Sequence, residues 1–159
     1  MSDSAKMKSR PSVFTRRAVV FGVLAAGGAA VFGAQWFNVS AQVTEDALSV
    51  QDAHKAALAQ DIVLIDIRRP DEWARTGVGQ GATPLDMRRD DFVKALLTIT
   101  KGDLSRPIAL ICARGVRSRK MTARLQASGF TKIIDVPEGM LGSGAGPGWL
   151  RAGLPVDKI

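Results

Sequence analysis

Three short, largely apolar runs stand out after about residue 60: IVLIDI at Ile62–Ile67, IALI at Ile108–Ile111 and KIIDV at Lys132–Val136. Apolar character that does not alternate predicts strands covered on both faces, as in a parallel sheet. Between the runs, apolar positions fall at helical spacing. Ser49 caps a predicted helix through Leu58, with Val50, Ala53, Ala57 and Leu58 on one face. Pro70, Asp71 and Glu72 open a short helix with acids of the sign its dipole favours, and the two carboxylates read as helix caps. A further helix is expected over Asp90–Leu97. Met121 and Leu125 face the core on another, ended by Gly129 with Phe130 packed back over the stop. Strands and helices alternating at this spacing predict βαβ units and an α/β fold.

The chain has a single cysteine, Cys112, in the run IALICARGVRS from Ile108 to Ser118. The pattern puts it at the carboxyl end of a strand, followed by a tight glycine-containing loop and a helix opening. That edge of an open α/β sheet is where ligands bind, and successive backbone N–H groups entering a helix form an anion cradle. Arg114, Arg117, Arg119 and Lys120 crowd the same turn, where the macrodipole disfavours cations, so they suit a bound anion. A thiol so surrounded and exposed at a strand tip is expected to be a reactive thiolate; the bland alternative is a small buried hydrophobe.

CARGVRS resembles the active-site loop of the rhodanese-like sulfurtransferases. IDIRRPDEWA (Ile65–Ala74) is similar to that family's first signature, and QGATPLDM to the stretch after it. LQASGF resembles the turn after the catalytic helix, and WLRAGLPV (Trp149–Val156) the C-terminal signature. The matches keep their order and span nearly all of the chain after about residue 45. The resemblance implies a rhodanese-like open parallel sheet flanked by helices over residues 42–159. It also implies a sulfurtransferase in which the Cys112 thiolate takes sulfane sulfur from thiosulfate or a similar small anionic donor. The resulting persulfide hands it to a thiol, cyanide or protein acceptor. The N–H groups of Ala113, Arg114, Gly115, Val116, Arg117 and Ser118 would hold the persulfide, acting as donors toward developing charge. Arg114 and Arg117 would attract the donor. Asp66 and Arg68 lie beside this loop in the family and are carried as supporting residues. No metal or organic cofactor is implied.

Two other activities compete. Cysteine phosphatases have a ring one residue larger between cysteine and arginine, and the smaller ring here suits a sulfane sulfur better than a tetrahedral phosphate. A non-catalytic module that binds a partner, or senses sulfane sulfur or oxidants through the same thiol, stays open. Two departures from the family pattern stand out. Gly77, Val78, Gly79 and Gln80 replace a stretch that usually carries histidine. The segment Glu138–Trp149, EGMLGSGAGPGW, is longer and richer in glycine than usual, either a flap with Met140 and Leu141 at its tip or a plain surface turn.

Composition separates the first residues from the rest. Lys6, Lys8, Arg10, Arg16 and Arg17 precede an uncharged stretch from Ala18 to Thr44, rich in Gly and Ala up to Phe37, an export-signal pattern. TRRAVV at Thr15–Val20 resembles a twin-arginine signal. Residues 1–41 are therefore expected to be a signal peptide cut after Val39, Ser40 and Ala41, or a retained membrane anchor. The domain then lies in the periplasm or is otherwise exported, with the export machinery as a partner. With five cations and Asp3, this leader carries +4 of the net +7, so residues 42–159 keep only +3. No basic stripe interleaved with aromatics remains to suggest nucleic-acid binding. One cysteine excludes an internal disulfide, and the lone His54 reads as a surface helix residue rather than a ligand.

Overall fold

The computed structural model describes residues 47–159; the leader expected over 1–41 lies outside them. Four parallel strands form the sheet, in the order β3 (Ala82–Pro84), β1 (Val63–Asp66), β4 (Ile108–Ile111) and β5 (Ile133–Val136). Strand β4, buried at every position, lies between β1 and β5, with Leu110 opposite Ile65 on one side and Asp135 on the other. Its unbroken apolar run is what a central strand covered on both faces requires. A two-residue antiparallel pair, β2 (Val78–Gly79) with β6 (Val156–Asp157), closes one corner.

The helices are α1 (Val50–Leu58), α2 (Pro70–Thr76), α3 (Phe92–Ile99), α4 (Val116–Ala127) and α5 (Gly148–Arg151). On one face of the sheet, Ile65, Leu110, Cys112 and Ile133 pack with Phe92, Leu96, Met121 and Leu125. On the other, Leu64, Ala109, Ile111 and Val136 pack with Val50, Ala53, Met140 and Trp149. Alternation along β4 and β5 thus sends Cys112 and Asp135 to the same side, beneath α4. None of the helices among the described residues is long and apolar enough to cross a membrane.

Most sequence expectations hold within a residue or two, and the differences have local causes. Strand β1 ends at Asp66 rather than Ile67, although Ile67 N still donates to Ile111 O at 3.0 Å; beyond it the Arg68 amide turns back to donate to Asp66 Oδ1 at 3.1 Å. Helix α3 starts at Phe92, since Asp91 pairs with Arg89 instead of capping an earlier turn. Leu58 is 55% exposed at the end of α1, off the face formed by Val50 and Ala53. His54 is half-buried, not a free surface residue: its Nε2 lies 3.2 Å from Gln80 Oε1 and its ring meets Trp149 edge-on at 5.2 Å. Trp149 also accounts for Gly79, where a Cβ would meet the indole at 2.8 Å.

Candidate active site

Strand β4 delivers Cys112 to the carboxyl edge of the sheet, and residues 113–115 turn the chain into α4. The turn requires Gly115, whose φ of 80° is left-handed and whose missing Cβ leaves room for the Pro137 carbonyl. Among the described residues, no N–H group from Ala113 to Ser118 donates to a protein acceptor. These amides open a twelve-residue helix and are left as donors available to an anion. The cradle is braced from behind. Met140 N donates to Cys112 O and Leu141 N to Ala113 O, each at 2.9 Å. Gly139 sits so close that a Cβ would meet the Ala113 carbonyl at 2.6 Å and Arg114 N at 2.7 Å.

Packing on the other face corrects the expectation of an exposed thiol: the Cys112 side chain clusters with Ile65, Leu110, Met121 and Leu125. Cys112 is only 1% exposed, with Met140 hydrogen-bonded to its carbonyl and Ser118 and Arg117 beside its sulfur. Sγ lies 3.6 Å from Ser118 Oγ, which donates to Gly115 O at 3.0 Å. The glycine-rich segment is not a flap tipped by Met140 either. Met140 is fully buried, and Glu138 fastens the segment by accepting from Val50 N and Gly148 N, both at 3.1 Å. Ser143 adds a bond to Pro137 O at 2.7 Å.

The cations around the loop do not all converge on one anion. Arg117 donates through both terminal nitrogens to the two oxygens of Glu72, at 2.7 Å each. Glu72 first, and the Cys112 sulfur further down, hold its guanidinium charged. In return the Arg117 hydrogen bond brings the Glu72 carboxyl down from 4.5 to about 2, against the opposing effect of burial. Glu72 also accepts from Arg69 N at 3.1 Å, so it is both the expected cap of α2 and the anchor of a loop arginine. Arg119 turns inward, its Nη2 buried without a partner among the described residues. Lys120 and Arg114 are exposed.

Asp66 and Arg68 do not reach the sulfur. Arg68 is 1% exposed and donates twice through Nε and once through Nη2 to Asp66, at 2.6–2.9 Å. Its remaining contacts are Thr76 Oγ1 at 2.8 Å and Gly77 O at 2.7 Å. The pair fixes the end of α2 to the tip of β1. One acid escaped the sequence reading: Asp135, 4% exposed, whose Oδ1 has no partner among the described residues. Burial raises its carboxyl above the ordinary range, opposed by the Ser118 hydroxyl and the Arg119 charge. Its only signal in sequence is a lone acid inside KIIDV.

Beside the cradle lies a cavity of about 320 Å³ lined by Arg114 and Val116 from the loop, Leu141 and Ser143 from the glycine-rich segment, and Arg151 from α5. Cys112 is not part of its wall.

Comparison with known proteins follows the same outline. A rhodanese-like domain model matches residues 49–142. No curated protein matches. Among solved structures, the polysulfide-sulfur transferase homodimer from Wolinella succinogenes is 28% identical, covering 82% of this chain and 89% of that one with a TM-score of 0.56. The rhodanese-like domain of the Alr3790 protein from Anabaena sp. is 17% identical, covering 73% and 81% with a TM-score of 0.55, a likeness of fold.

Proposed function

This chain belongs to the rhodanese-like domain family, and we propose that it is a sulfurtransferase working through a Cys112 persulfide. The observation that carries the reading is the ring of undonated N–H groups from Ala113 to Ser118 around the chain's one sulfhydryl. Such preorganised donors stabilise a persulfide anion and the charge that develops as sulfur moves. The Cys112 thiolate attacks the outer sulfur of thiosulfate or a similar anion; the donor's S–S bond breaks and sulfite leaves with the electron pair. An acceptor nucleophile then attacks the outer sulfur of the persulfide, and the Cys112 thiolate departs. Arg114 attracts the donor electrostatically. With no second thiol in the chain, the acceptor comes from outside.

The test is direct. Incubating the protein with thiosulfate and weighing it gives a reducible gain of one sulfur atom, absent in Cys112→Ala. The 1% exposure of Cys112 favours a second reading, a module that binds a partner or senses sulfane sulfur or oxidants. An unmodified thiol at neutral pH after the incubation selects it.

We also propose export by the twin-arginine route, on the basic head and apolar run of residues 1–41. A reporter fused to those residues is exported, and export that persists after replacing both Arg16 and Arg17 by Lys refutes the route.

A further inference from the structure

The cavity beside the cradle has two kinds of wall. Arg114 and Arg151 supply two guanidinium groups, and neither has an ion-pair or hydrogen-bond partner in the protein among the described residues, where seven other ion pairs form. No acid lines the cavity to balance them. Val116 and Leu141 supply apolar surface; Val116 is 45% exposed, unusual for a valine in the first turn of a helix packed on the sheet. An inorganic sulfur oxyanion would use the arginines and gain nothing from the valine and leucine. A neutral thiol would do the reverse. A ligand that uses both has a short carbon stem and carboxylates.

Size and position narrow this further. About 320 Å³ admits roughly ten water-sized groups at about 30 Å³ each, enough for a four-carbon dicarboxylate bearing a sulfhydryl. Arg114 in the wall is two residues from Cys112 along the chain, and Leu141 in the wall donates its N–H to the carbonyl of Ala113, the residue that follows Cys112.

We infer that this cavity seats the sulfur acceptor, and that the acceptor is a small organic thiol carrying carboxylates, held by Arg114 and Arg151 with its stem on Val116 and Leu141. The inference rests on the persulfide reading above and names the second substrate of that site. The acceptor thiolate attacks the outer persulfide sulfur, a new S–S bond forms to the acceptor, the old one breaks, and the electron pair returns to Cys112. The acceptor leaves as an organic persulfide.

The test uses mercaptosuccinate, with 2-mercaptoethanol as a neutral thiol of similar reactivity. With full-length protein charged by thiosulfate, the ratio of KM for mercaptosuccinate to KM for 2-mercaptoethanol is expected to rise about tenfold in Arg151→Gln and to return most of the way in Arg151→Lys. An unchanged ratio overturns the inference. A second arm needs no chemistry: titrating succinate into Cys112→Ser should move the side-chain N–H resonances of Arg114 and Arg151, and succinate that leaves both in place overturns the inference as well. Failure of the persulfide reading shows separately, as no gain of sulfur in wild-type protein; the titration then decides on the cavity alone.

Discussion

Glu72 and Arg117, forty-five positions apart, face each other through two parallel hydrogen bonds of 2.7 Å. The pair joins the first turn of α2 to the first turn of α4 and sets where the last arginine of the cradle rests. Bidentate geometry of this kind is directional as well as strong. The loop conformation is therefore fixed partly by a residue that is not in the loop.

Acid should reveal this pair. The Glu72 carboxyl is lowered to about 2, so the stability it contributes is fully present above about 4.5 and is lost as pH falls toward 2. Urea midpoints of the wild type should drop across that window more steeply than those of Glu72→Gln. Parallel curves for the two proteins would show that the pair adds nothing to stability.

Asp135 should behave in the opposite sense. Burial raises its carboxyl, so the folded state favours the protonated form, and stability declines as pH rises from its ordinary 3.8 through the raised folded value. Asp135→Asn is expected to match the wild type near pH 3 and to exceed it at pH 7 in thermal melts. A variant weaker than the wild type at pH 7 would mean that the charged carboxylate is the form the fold requires.

Gly115→Ala places a methyl group against the Pro137 carbonyl in left-handed backbone. Strain and overlap together should cost about 2–4 kcal/mol, measured by urea unfolding. Sulfur uptake from thiosulfate should also fall in whatever fraction remains folded, because the amides of the cradle can no longer point inward together.

Arg68→Ala leaves Asp66 buried without its guanidinium partner, a change worth about 3–5 kcal/mol. Since every hydrogen bond of Arg68 goes to Asp66, Thr76 or Gly77, the folded fraction should take up sulfur from thiosulfate as fast as the wild type. A rate that collapses in fully folded protein would give Arg68 a part in the chemistry.

The strands and the location of the thiol were legible because both depend on local order: an apolar run, then small residues, then a helix. The Glu72–Arg117 pairing was not, since Glu72 already had a sufficient local explanation as a cap and its partner lies three strands later. Burial of Cys112 was hidden for a related reason. The residues packed on its face of the sheet include Ile65 from β1 and Met121 from α4, which come together only once the sheet is assembled. Asp135 is a lone acid within a strand, and its meaning depends on which helix lies over that face.

The cradle has a crowded back and an open front. Behind it, Gly139 and Gly115 leave no space for a single added carbon. In front, Arg114 and Val116 extend into solvent. Selection can thus redress the recognition surface of such a protein many times over while the reacting atom stays where it is, since changes in chemical taste and changes in architecture fall on different residues.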